Sequence, residues 1–567
     1  MKHKKWLFLG VAVLLMLSLV VSAACEPKAE WRRVCPTTGL PLEFDIHVPA
    51  YLSEAIDVAT MWKADCEEIG IELNIIPVDS DYLWDIMMVE NEYAFDISMW
   101  NWGGESPDPD FMISVLTTME QFSWSDCGFS NATYDQLYLD QRLAATTEDR
   151  KAIIWQMQEI LHEELPYIPY VYYSELDALR NDTVDVNPEL LGGASGIAHK
   201  AFGLNATKIG EPNVVTIGSI YFTDTINPFA SYHSIYIEKR PWIWDYLYNI
   251  DHTDTAVPNL ATGYEVSMDG KTWNITIRDD AVFPGVPDDI PLTAETVAWS
   301  YNYCMADAEV GYGIYWAAVD PIESVEATGD WELTITLSEP LAEEWVIYNI
   351  FSAVPIFPKH IWEDIPLDYE DPEAAYLVTD LDIIGVGSGP FQLTDYAVDQ
   401  YFELTAKDWA KDELGVQIDT VISKMYAEAA IMYEDLKAGT IDGVRFLDKK
   451  VISALEAYDE IDIYEQTPVW LDEIIICSYE PAYRKDEGTR TKWPHPALED
   501  KAVRYALQWA LDAEGAAEVA YGAWGIPACQ FLGPYFGGYS NTELDCRDFS
   551  LTQAAAILDA AGYLVPE

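Results

Sequence analysis

Apolar residues recur along this chain at two spacings, and the switches between them mark out its elements. Residues 42–48 alternate apolar and polar as a strand does; Ala55, Ile56, Ala59, Met61, Trp62 and Cys66 then return at roughly helical spacing, with Gly70 just beyond them. Residues 71–77 and 95–102 alternate again. Helices are predicted over 131–145 and 148–164, the second with Ile153, Ile154, Met157, Ile160 and Leu161 on one face. Strand, helix and strand joined by short connections imply α/β layering. Residues 187–212, rich in Gly, Asn and small side chains, show no period and read as a linker. A second series starts at 214–221, with half-buried strands predicted over 273–278 and 331–337. Helices follow over 294–303, capped by Thr293, and over 427–438, 449–458, 500–512 and 552–561. No internal repeat interrupts the two series.

Length and charge narrow the classes. At 567 residues the chain exceeds one core, and two or three packed units are expected. The 96 Asp and Glu against 32 Lys and Arg give a formal net charge of -64, which repels nucleic acid and anionic lipid. Adaptation to high salt, where screening offsets self-repulsion, and the ordinary acidity of exported proteins both account for it. Lys2, Lys4 and Lys5, an apolar run over 6–21 and then Ser22-Ala23-Ala24-Cys25 make a secretory leader. Small residues before a cysteine resemble a bacterial lipobox, with Cys25 as the lipidated first residue; the alternative is a cleaved leader that leaves Cys25 free. Seven cysteines remain in a compartment where disulfides persist, and Cys529 and Cys546, in one loop-rich stretch, form the best local pair. The eight His are scattered and no Cys/His spacing suits a metal, so neither metal nor cofactor is expected.

Several segments together resemble family 5 of the bacterial extracellular solute-binding proteins, the oligopeptide, dipeptide, nickel and oligosaccharide receptors of ABC importers. The segments are Pro258-Asn259-Leu260-Ala261, Ser267-Met268-Asp269-Gly270-Lys271-Thr272-Trp273, Leu292-Thr293-Ala294-Glu295-Thr296-Val297, Ser388-Gly389-Pro390-Phe391, Gly439-Thr440-Ile441-Asp442, Val503-Arg504-Tyr505-Ala506-Leu507 and the Gly562-Tyr563 turn. The order is not the family's. Material that follows the Ala-Gly-Tyr turn in the family, such as Trp102 to Pro109 and Pro166-Tyr167-Ile168-Pro169, comes first in this chain. A circular permutation with new ends at a turn of the second lobe explains this; a rearranged, non-functional gene product is the alternative.

The resemblance implies an α/β, two-lobed periplasmic-binding-protein type II-like fold with an extra small domain, its segments in permuted order. The expected divisions are a signal peptide over 1–24, a lipid-anchor tether over 25–39, and the second half of lobe two over 40–174. A crossing segment and linker follow over 175–212, then lobe one with its inserted subdomain over 213–478 and the first half of lobe two over 479–567. It further implies a receptor outside the cytoplasm, held at the membrane by its lipid. Such a receptor captures a peptide, or in the alternative an oligosaccharide, and passes it to an ABC permease and ATPase complex. Glu105 falls where the family's peptide receptors carry the acid that pairs with the ligand ammonium, a role suited to charge-assisted bonds; as one of 96 acids it is otherwise a solvated loop residue. Trp100 and Trp102 offer faces for stacking, with core packing as the alternative since they share one strand face. Tyr232 stands in the Asn227-Pro228 segment expected at the facing wall. An enzyme is not expected: the chain has no GxSxG, HExxH, Walker loop or GxGxxG.

Overall fold

The computed structural model describes residues 32–89, 94–103, 106–121, 123–221, 225–231, 239–285, 288–310, 313–367, 375–479 and 494–566. The predicted opening alternation becomes β1 (Glu43–Pro49), α1 (Ser53–Glu68), β2 (Glu72–Val78), α2 (Ser80–Met88) and β3 (Ile97–Gly103). β1 pairs in parallel with β2, Phe44 opposite Leu73 and Ile46 opposite Ile75, and with β3 through Ile46 and Ile97. Parallel neighbours need crossover helices, and α1 supplies one by burying Ala55, Val58, Ala59, Trp62 and Cys66 along one stripe. Gly70 ends this unit at φ +84, and a Cβ there would lie 2.8 Å from Arg33 Cγ, so both backbone and space demand glycine.

The helical hairpin α3 (Ala132–Arg142) and α4 (Thr147–Glu164) starts each helix on a side-chain cap, Asn131 and Thr146. Two strands that pattern reading did not separate follow: β4 (Tyr167–Tyr173), buried throughout, and β5 (Leu176–Arg180). Then come β6 (Val214–Ser219), the strands β7 (Ala261–Val266), β8 (Thr272–Ile277), β9 (Ile322–Ala327) and β10 (Glu332–Leu337) with helix α5 (Ala294–Val310), and β11 (Phe391–Ala397), β12 (Tyr401–Ala406) and β13 (Thr420–Met425). The chain ends through α6 (Ala429–Ala438), β14 (Gly443–Val444), β15 (Ile461–Glu465), β16 (Trp470–Ile476), α7 (Lys501–Trp509), α8 (Ala513–Tyr521), β17 (Gly525–Pro527) and α9 (Leu551–Ala560).

The described strands gather into two principal sheets, ordered β2-β1-β3-β16-β4-β17 and β11-β12-β13-β6-β14-β5-β15, with an antiparallel sheet β7-β8-β10-β9 beside the second. The first sheet is lobe two. Its one face buries Leu42, Phe44 and Trp62 together with Leu507, Ala554 and Leu558, residues from opposite ends of the sequence. Trp62 donates its indole N–H to the Leu507 carbonyl at 3.1 Å across 445 positions. Val34 bridges to Leu564, and the Arg33 guanidinium bonds Ile69 O at 2.7 Å and Tyr563 O and Asp559 at 2.5 Å. The second sheet is lobe one; its core runs without a break into the antiparallel sheet, from Phe391 and Phe402 to Trp273 and Ile335. The whole is α/β, two lobes with a smaller unit attached.

Four boundaries differ from the sequence reading. The expected 25–39 tether overlaps folded chain, because Arg33 and Cys35 are buried in lobe two. The 175–212 linker is built into lobe one: β5 joins its sheet, and Leu191, Ile197 and Phe202 enter the core from helices of 4, 3 and 6 residues, too short to show a period. Lobe one ends at residues 466–469 rather than 478, since β16 pairs with β3 and β4. The helix expected over 500–512 breaks where the Asp512 carboxylate caps α8 by accepting from Gly515 N. Cys529 and Cys546 are bonded.

Candidate functional site

Parallel strands of both lobes point their carboxyl ends at one crevice, the usual place for a ligand in α/β sheets. From lobe two, β1 leads to Tyr51 and β3 ends at Gly103; from lobe one, β6 leads to Tyr221 and β14 to Arg445 and Phe446. Among the described residues the chain crosses between lobes twice, through Ser174-Glu175 after β4 and through residues 466–469 before β16.

The floor of the crevice is aromatic. Tyr173, the last residue of β4, stacks on Tyr521 of α8 with ring centroids 4.3 Å apart and planes at 21°. Trp470, at the start of β16, lies parallel to Tyr173 at 6.3 Å. Gly103 is required beneath it: a Cβ there would meet the Trp470 ring at 2.6 Å. Asn101 Nδ2 donates to the Tyr173 hydroxyl at 3.0 Å, and the Tyr521 hydroxyl donates to Asp472 Oδ2 at 2.7 Å. Lobe one reaches across with Lys449, whose Nζ lies 3.0 Å from the Tyr521 centroid and 4.4 Å from that of Tyr173, a cation–π arrangement. Lys450 Nζ donates to Ser53 Oγ at 2.7 Å and lies 3.3 Å from Glu54. On the lobe-one wall Tyr221 meets Phe446 edge-on at 4.6 Å. Phe446 holds a left-handed φ of 57, costly for an aromatic residue and a feature that gathers at binding sites.

Charge in this crevice is held under tension. Burial pushes the Asp472 carboxyl up to about 7, against the opposing pull of the Tyr521 hydrogen bond and Lys449. Burial also raises Glu175 and lowers Lys449, while the attraction between the two works the other way. The arrangement offers flat apolar faces and paired charges, suited to non-covalent capture. Among the described residues no group of three or more His, Cys, Asp or Glu could hold a metal ion, and no helix is long and apolar enough to cross a membrane.

The structure corrects the tryptophan assignments. Trp102 is 8% exposed, donates its indole N–H to Asp126 Oδ2 at 3.0 Å and packs edge-on to Phe111. Trp100 packs half-buried against the same core. Strand alternation turns both into lobe two and aims their neighbours Asn101 and Gly103 at the crevice. Glu105, Tyr232 and Cys25 lie outside the described residues. Sequence reasoning missed Tyr173, Trp470, Tyr521 and Lys449. The signal available was the same alternation: a polar Asn101 between two tryptophans marks the opposite face.

The raised Asp472 pKa has a signed consequence for stability. A carboxyl that titrates near 4 unfolded and about 7 folded favours folding while protonated and loses that contribution as pH rises from about 4 to about 7. Asp472→Asn cannot ionise, so its unfolding free energy falls less between pH 4.5 and pH 8 than that of the unsubstituted protein. The difference should be a few kcal/mol, at about 1.4 kcal/mol per pKa unit. Urea unfolding at both pH values measures it; parallel profiles would contradict the assignment.

Residues 255–566 match the family model for bacterial extracellular solute-binding proteins, family 5 middle. A putative ABC transporter peptide-binding protein of Brucella ovis is 22% identical over 316 residues, 55% of this chain and 53% of that protein. The dipeptide-binding protein of Escherichia coli is 23% identical over 324 residues, 55% and 56% of the two chains. The chain thus spans about half the length of the relatives it matches. Among solved structures, NikZ of Campylobacter jejuni in complex with Ni(L-His) gives a TM-score of 0.46 at 19% identity, covering 62% of this chain and 64% of that one. The oligopeptide-binding protein AppA of Bacillus subtilis, in complex with a nonapeptide, gives 0.44 at 20% with the same coverage. With more than half of its length matched by the family model, the chain belongs to family 5 of the bacterial extracellular solute-binding proteins.

Proposed function

We propose that this protein is the solute-capturing component of an ABC importer, that its solute is a peptide, and that it performs no chemistry on it. The observation that carries the reading is the aromatic crevice where strand ends of both lobes meet and Lys449 and Lys450 of one lobe contact the other. A cleft of this kind hides a solute from water and changes the outer shape on closing, which lets a permease tell loaded receptor from empty. The names of the relatives as peptide-binding and dipeptide-binding proteins support a peptide as solute. Glu105 is the proposed partner of the peptide ammonium, on the family resemblance. The flat faces of Trp470 and Tyr173 would equally suit a sugar ring.

Calorimetric titration with di- to pentapeptides and, in parallel, oligosaccharides tests this. Peptides should bind, and Glu105→Gln should weaken them by about tenfold or more, the effect of about 1.5–3 kcal/mol expected for a lost charge-assisted bond. Binding of oligosaccharides alone would replace the peptide, and binding of neither would remove the receptor reading.

Export and membrane attachment through Cys25 complete the proposal. The protein should partition into detergent and Cys25→Ser should leave it in the aqueous phase; equal partitioning of the two would exclude the anchor.

A further inference from the structure

We infer that the stacked Tyr173–Tyr521 pair is a subsite for a lysine-like, positively charged side chain of the captured peptide, and that Lys449 occupies it when no solute is bound. The inference rests on the reading of the crevice as a peptide-capturing cleft and names the class of peptide it selects.

The aromatic surface is complete within lobe two. Tyr521 is fixed by its bond to Asp472, and Tyr173 by Asn101 and by the parallel Trp470 ring. None of these partners comes from lobe one, so the surface exists before the lobes approach. Its occupant comes from the other lobe, on the single turn Lys449–Val451. Lys449 places an alkylammonium against the ring faces, 3.0 Å from one centroid and 4.4 Å from the other. A lysine side chain entering between the lobes presents the same group to the same faces, and the two compete for one position.

The surrounding charge favours a cation there. Glu175, Asp472, Glu54 and Asp448 all act on the Lys449 ammonium. The cations nearby are otherwise engaged: Lys450 bonds Ser53 and Glu54, and Arg445 stacks its guanidinium over Phe446 and faces Asp177 at 3.7 Å. At longer range, a net charge of -64 draws basic solutes towards the protein and repels acidic ones.

The tripeptides Ala-Lys-Ala and Ala-norleucine-Ala, nearly equal in shape and differing in the ammonium, separate the possibilities by calorimetry on the mature protein. The unsubstituted protein should prefer the lysine peptide by about tenfold. Lys449→Met, which removes the internal competitor, should widen that preference. Tyr521→Leu should abolish it, and Tyr521→Phe, which keeps the ring and loses the bond to Asp472, should retain it. Equal affinity for the two peptides in both the unsubstituted and Lys449→Met proteins would overturn the subsite while leaving peptide capture intact. If neither peptide binds but n-butylammonium chloride binds Lys449→Met in a Tyr521-dependent way, the subsite stands and the peptide reading falls. If Tyr521→Leu keeps the lysine preference, the subsite is not at this pair.

Discussion

One strand holds this molecule together. β16 comes from late in the sequence yet lies in the middle of lobe two, antiparallel to both β3 and β4, with Leu471 opposite Trp102 and Tyr172 and Ile474 opposite Met99 and Ile168. Among the described strands nothing else joins the parallel β2-β1-β3 unit to β4 and β17. β16 also delivers the site: Trp470 and Asp472 face the crevice, while Leu471 and Ile475 face the opposite core. Between them Glu473 is fully buried, its two carboxylate oxygens hydrogen-bonded to none of the described residues. Burial raises its pKa well above the usual carboxylate value, and the nearby Asp126 and Asp472 push it the same way. A buried acid with no hydrogen-bond partner among the described residues is a cost that this strand carries within a sheet it otherwise stabilises.

The two lobes meet at more than the crevice. At a second contact the guanidinium of Arg142 lies over the Trp345 ring at 4.5 Å, the Ala342 amide donates to Arg142 O at 2.7 Å, and the Tyr539 hydroxyl donates to Glu344 at 2.5 Å. The wholly buried pair of Arg150 and Asp108 sits directly behind Tyr539. Breaking such a pair costs far more than its presence contributes, because it strands one charge in low dielectric. Its place is therefore best understood as orienting Tyr539 towards lobe one. The lobes are apposed at the floor through Lys449 and Lys450 and again at this second contact, and among the described residues the chain passes between them at 174–175 and 466–469.

What the sequence disclosed and what it hid follow one physical rule. Strands with one wet face, such as β8 with Trp273, Ile275 and Ile277 buried and Asn274 exposed, write a period of two and were legible. β4 and β16 are covered on both faces, carry no alternation, and passed unmarked. The stretch before β6 enters its core through isolated residues of very short helices, a pattern that reads in sequence as a linker. The crevice was only half visible: the Trp100–Gly103 motif pointed to the right strand end but to its wrong face. Tyr173, Tyr521 and Lys449 come from distant elements that only the fold brings together. The large acid excess also hid individual carboxylates, since neither Glu473 nor Asp472 differs in sequence from a solvated acid.

Early and late segments of the described chain close on one another in lobe two, Leu42, Phe44 and Trp62 against Leu507, Ala554 and Leu558 and Val34 against Leu564. We propose that the order is a circular permutation of the family's; the ties of Arg33 and Val34 to the turn at Tyr563 and Leu564 support it. The direct test is a chain in which Glu567 is joined to Arg32 and new ends are opened between the exposed Gly210 and Glu211. This chain should fold, unfold at the same urea midpoint and keep the ligand affinity of the original. A chain that aggregates, or that folds with lobe two exchanging its amide hydrogens freely, would contradict it.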